Sequence, residues 1–321
     1  MRLGCQPVEL RLVSIFPILG EPRAAGSLPY FMFSISKIVL PLEFSEPSPD
    51  TARYARILAR YFKSEVIVVH VVAPPPYEFA NMEVSGAVIA ELLDNRKAHI
   101  RSQLDSFESE ELQGASVQRV LLEGDPAAEI VKYAHEQGAE LIVMSTHGYG
   151  PFRRFILGSV TAKVLHDADC PVWTGVHKEE APALDAIAFR NVVCAVDLGT
   201  QSAKTLGWAA RFARSFEARL TLLHAVPCAG IPVAEDVGPE FRAQLVASAR
   251  ESIDKLQSAA GTAAEVRIEG GDAPKVVSSV CEQEAADVLV IGRGSAAGVF
   301  GRLRANAYAI IRQSPCPVVS V

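Results

Sequence analysis

The feature that most constrains this chain is that it repeats itself. Lys37–Val72 lies over Asn191–Val226 without a gap, and the matching pairs include Val39/Val193, Ser48/Ser202, Thr51/Thr205, Ala55/Ala209, Ala59/Ala213, Arg60/Arg214, Phe62/Phe216 and His70/His224. Glu43 falls on Asp197. A repeat of this length fixes the architecture before any single element is considered. Inside each copy, Ile38–Leu42 and Val192–Val196 are unbroken apolar runs, as expected of parallel strands buried on both faces. Ala55, Leu58, Ala59 and Phe62 then follow helical spacing, as do Ala209, Phe212, Ala213 and Phe216. Val66–Val72 and Leu220–Val226 read as second strands.

The copies continue alike. Long helices are expected over 84–108 and 235–259, and third strands at 117–122 and 264–268. Gly124-Asp125-Pro126 and Gly271-Asp272-Ala273 are turns that lead into a third helix, with stripes Ala127, Ile130, Val131, Ala134 and Ala273, Val276, Val277, Val280. Fourth strands at 141–144 and 288–291, a last helix, and a fifth strand opened by Cys170-Pro171-Val172 or Cys316-Pro317-Val318 complete each copy. Alternating strands and helices imply an α/β fold: two tandem doubly wound domains, each a five-stranded parallel sheet with helices on both faces. The expected division is 1–34 as an irregular extension, 35–177 as the first domain, 178–187 as a charged linker, and 188–321 as the second domain. Each copy is long enough for a core of its own. Both copies end in an apolar strand, and an unpaired apolar edge needs cover. The copies should therefore pair through 172–176 and 318–321.

Residues 1–34 carry Pro7, Pro17, Pro22 and Pro29 with no period, and match a secretory leader poorly. Met32 directly precedes the first strand, so this segment reads as an upstream start or a loose tail. A formal charge of −6 argues against bulk nucleic-acid binding, and no apolar run approaches the ~20 residues that span a bilayer. The six cysteines form no CxxC pair, which points to reduced thiols and a cytoplasmic setting.

In doubly wound sheets, ligands bind beyond the carboxyl ends of the strands at the switch point. Here that means Leu42-Glu43, His70-Val71 and Met144-Ser145-Thr146-His147-Gly148. A loop rich in glycine and hydroxyls can close backbone N–H groups around an anion. The chain then enters a helix at Gly158-Ser159-Val160, and a helix N-terminus favours phosphate. Arg153 and Arg154 stand between. His70 and His224, at strand ends, read as hydrogen-bonded structural residues rather than bases. There is no GxxxxGK[ST], HExxH or GxSxG, and GxGxxG follows neither first strand.

From about residue 35 onward, the chain resembles a universal stress protein with two tandem family domains. The family's nucleotide signature is Gly, two residues, Gly, nine residues, Gly, then Ser or Thr. The first copy reads Ser145-Thr146-His147-Gly148, nine residues, Gly158-Ser159, departing only at Ser145. The resemblance implies ATP, with Mg2+ able to accompany its phosphates. It also implies a nucleotide site of Leu42, Glu43, Val71, Met144, Ser145, His147, Gly148, Gly158, Ser159 and Val160. Glu43 stands where the family has an aspartate. The second copy keeps Asp197 and Gly292-Arg293-Gly294-Ser295, but Arg304-Ala305 replaces the Gly-Ser step. It reads as a degenerate site with a structural or interaction role, or as a site for another anion using Arg293, Arg302 and Arg304. The resemblance implies a regulatory or protective stress-response protein, an intramolecular pairing, homo-oligomers and a protein partner. Two alternatives stand beside this reading: a nucleotide-free interaction and dimerisation module, and a weak ATPase.

Overall fold

The computed structural model describes residues 33–44, 48–74, 86–107, 112–146, 157–176, 187–226, 239–293 and 302–321. Expectations for His147, Gly148, Arg153, Arg154 and nearly all of the linker lie outside these residues.

The first repeat is β1 (Lys37–Pro41), α1 (Ser48–Phe62), β2 (Glu65–Val72), α2 (Gly86–Ser106), β3 (Ser116–Glu123), α3 (Pro126–Glu136), β4 (Leu141–Met144), α4 (Ser159–Asp167) and β5 (Val172–Thr174). The second is β6 (Asn191–Ala195), α5 (Ser202–Ser215), β7 (Arg219–Val226), α6 (Pro239–Ala260), β8 (Glu265–Gly270), α7 (Ala273–Gln283), β9 (Val288–Ile291), α8 (Arg302–Gln313) and β10 (Val318–Ser320). The apolar runs became the central strands for the expected reason: all four residues of β4 and of β9 are buried. Asp125 shows how the Gly-Asp-Pro turn starts α3, because its carboxylate accepts the Ala128 N–H at 3.0 Å and Pro126 occupies the first helical turn.

The strands form one ten-stranded sheet, ordered β3-β2-β1-β4-β5-β10-β9-β6-β7-β8. Every pairing is parallel except the central one. There β5 meets β10 antiparallel, with Val318 opposite Thr174, Val319 opposite Trp173 and Ser320 opposite Val172. The two terminal strands cover each other's edges, as anticipated.

The buried cores of the two copies run together across the seam. On one face of the sheet, a single buried cluster joins Leu40, Leu58 and Trp173 to Phe189, Leu206, Phe212 and Val319. Its centre is aromatic: Trp173 lies 5.6 Å from Phe189 and 6.1 Å from Phe212, and Tyr54 lies 5.7 Å from Trp173. Phe33, counted above with the extension, packs edge-on against both Phe62 and Trp208. The other face likewise shares Val164, Leu165, Ile310 and Ile311. Cys194, Cys281 and Cys316 are buried free thiols and Cys170 is half-buried. No described helix is long and apolar enough to cross a membrane.

Candidate functional site

The end of β1 is built by a ladder bond and a strained residue. Leu42, buried beside the sheet, donates its N–H to the Val69 carbonyl at 2.8 Å. Two residues on, Phe44 has φ +58, in the left-handed region that non-glycine residues rarely adopt. Its repeat mate Leu198 does the same at φ +60. This turn stacks the Phe44 ring on His70, with centroids 4.9 Å apart. His70 Nδ1 donates to the Leu42 carbonyl at 2.7 Å, and His224 repeats the bond to Val196 at 2.8 Å. Both histidines are therefore structural, as their position implied. Burial pushes the His70 pKa below its ordinary value and the nearby Arg96 charge acts the same way. The Leu42 bond and Glu43 pull against them. Val71 follows, half-buried at the end of β2.

Glu43 turns toward β4, where its Oε1 accepts a hydrogen bond from Ser145 Oγ at 3.2 Å. Met144 is buried, and Thr146 is only 2% exposed. The two described arms of the motif are laced together. Gly158 N–H donates to the Thr146 carbonyl at 2.9 Å, and Thr161 Oγ1 donates to the Ser145 carbonyl at 3.0 Å. Gly158 is the N-cap of α4 and gives it no side-chain cap bond. Its carbonyl accepts the Ala162 N–H at 2.8 Å. The N–H groups of Ser159, Val160 and Thr161 precede that first helical bond and remain to be satisfied from outside the helix. Ser159 itself is exposed and Val160 half-buried. This geometry suits an anion.

The structure thus brings Leu42, Glu43, Met144, Ser145, Gly158, Ser159 and Val160 to the adjoining ends of β1 and β4, with Val71 one strand away. Sequence reasoning missed Phe44 and Thr161. Phe44 faced Leu198 in the repeat alignment, but unlike side chains hid their shared backbone turn.

The second domain uses the same positions otherwise. Asp197 Oδ1 accepts the Gly199 N–H at 2.8 Å and Ser202 Oγ at 3.0 Å, so the acid is closed into the turn that starts α5. A Cβ on Gly292 would meet Thr205 Oγ1 at 3.0 Å, which explains that glycine by close packing on α5. Arg293 belongs to the degenerate motif. Its guanidinium leaves that motif and enters the first domain, donating to the carbonyls of Ala168 at 2.6 Å and Cys170 at 2.9 Å, with Leu165 at 3.5 Å. It tethers the end of α4. Helix α8 begins at Arg302, three residues ahead of Ala305, the counterpart of Ser159. The helix N-terminus is displaced accordingly.

Comparison with known proteins agrees with the repeat. The model of the universal stress protein family matches twice, over residues 34–174 and 188–321, and the chain belongs to that family. A universal stress protein of Methanocaldococcus jannaschii is 36% identical over 136 residues, covering 42% of this chain and 79% of that protein. One from Synechocystis is 30% identical over 154 residues, covering 47% and 91%. The crystal structure of a universal stress protein from Archaeoglobus fulgidus aligns with a TM-score of 0.61 and 20% identity, covering 91% of this chain and 97% of that one. The tandem α/β fold is thus shared along nearly the whole chain.

Proposed function

We propose that this chain is a universal stress protein that binds one adenine nucleotide, ATP in the first instance, in its first domain, and that occupancy regulates its contact with a partner protein. The observation that carries this reading is the N-terminus of α4, which has glycine rather than a side-chain cap at Gly158 and is tied by Gly158 and Thr161 to the backbone of Thr146 and Ser145. Its free N–H groups would take the phosphates. Glu43, held by Ser145, would serve the ribose end, and Val71 backbone the adenine, as the family resemblance implies. Among the described residues no group of three or more His, Cys, Asp or Glu could hold a metal. Any Mg2+ would ride on the phosphates, which is its usual habit.

The second domain would serve a structural purpose. Its acid is spent on its own turn and its motif arginine on the first domain. Heat denaturation of freshly purified protein should release a compound with adenine absorbance. Titration of the emptied full chain with ATP should then saturate at one site. A chain that neither carries nor takes up nucleotide would be an interaction module instead. Steady release of ADP from added ATP would make it a weak ATPase.

A further inference from the structure

A cleft of about 270 Å³ opens at the seam between the two domains. The end of α4, the first turn of α5, α8 and the end of β10 enclose it. None of the ten positions assigned above to the nucleotide lines it, nor do their counterparts in the second domain. Two independent features are left unanswered there. Ser320 lines the cleft, is only 1% exposed, and its Oγ has no hydrogen-bond partner among the described residues. A buried hydroxyl without a partner is costly and uncommon in native proteins. Arg293 also lines it, and its charge is met by carbonyl oxygens alone; among the described residues no carboxylate lies within ion-pair distance. Burial pushes its pKa below the ordinary arginine value, while the Cys170 thiol and the Asp169 carboxylate pull the other way.

The rest of the lining brings one further lysine and one side-chain carboxylate. Lys204 is exposed in the first turn of α5, and Gln201 is the N-cap of that helix and makes no side-chain cap bond. The carboxylate on this wall, Asp169, is engaged by His135 at 2.9 Å, and the His166 ring by Asp167. Two cations, a helix N-terminus and an orphaned hydroxyl converge, which is how proteins hold an oxyanion. The volume falls just below the ~300–1,000 Å³ of common small-molecule pockets, so the occupant is smaller than a nucleotide.

We infer that the seam cleft is a second ligand site, taking a small phosphoryl dianion between Arg293, Lys204 and Ser320. Because its walls come from both domains, occupancy would fasten the seam. This inference stands whether or not the first domain binds ATP.

The test uses the full chain, with inorganic phosphate and glycerol 3-phosphate as separate titrants, followed by calorimetry. Both should bind saturably; tighter binding of the ester would name a phosphomonoester as the occupant, and equal binding free phosphate. Lys204→Ala and Ser320→Ala should each weaken binding by about tenfold. Ser320→Ala should leave the melting temperature unchanged or higher, since it removes an unpartnered hydroxyl. Saturating ATP, which would fill the first-domain site, should leave phosphate affinity at the seam unchanged. No saturable binding, full affinity in both seam variants, or loss of phosphate binding when ATP is present would overturn the assignment.

Discussion

Two side chains carry contrasting parts of the account. His70 is tuned to stay neutral, so its folded pKa lies below the ~6.5 of the unfolded chain. The unfolded state then binds more protons as pH falls below 6.5, and stability present above that value is lost as pH drops through the folded pKa. Denaturant midpoints should fall between pH 7 and pH 5, and His70→Gln should flatten that fall; an unchanged slope would mean His70 does not titrate as its surroundings dictate. Arg293 works across domains. Truncating it to Ala strips the Ala168 and Cys170 carbonyls of their partner and should cost about 2–3 kcal/mol. Arg293→Lys should recover little, because one ammonium cannot reproduce the planar fork. Urea unfolding checks both, and a change under ~0.5 kcal/mol would show the tether to be idle. Nothing in the sequence announced this tether. Arg293 sits in a glycine-flanked motif that invites a ligand reading, and its partners lie more than 120 positions away.

At the scale of elements, the buried strands were the easiest to read. Val, Ile and Leu runs bounded by turns have few other uses, and their alternation with helices implies a parallel sheet with right-handed crossovers. The ends of elements were harder. Phe44 in the left-handed region has no local signature, since that conformation calls for glycine or asparagine. The α4 N-terminus was legible only because the Gly-Ser step kept its spacing. Its displaced counterpart at Arg302 was not, because helix starts depend on capping context. If the free N–H groups of α4 hold phosphates, Gly158→Leu should weaken ATP by tenfold or more and leave adenosine nearly untouched. Paired titrations decide this: equal losses for both ligands, with the fold intact, would place the phosphates elsewhere.

The whole molecule is two copies made one by the β5–β10 pairing and the aromatic cluster beneath it. Removing residues 317–321 would strip β10 from β5 and expose Trp173, now fully buried. Loss of a cooperative transition, or a melting temperature lower by at least several degrees, is expected by calorimetry; an unchanged curve would contradict a shared core. This unity would let the first domain keep the proposed ligand site while Arg293 of the second braces it. The most direct test of that division of labour is an ATP titration of the full chain beside Gly158→Leu and Asp197→Ala. The account predicts one ATP per chain, lost in Gly158→Leu and retained at full stoichiometry in Asp197→Ala. Two equal sites, or binding that disappears with Asp197 and survives Gly158→Leu, would contradict it.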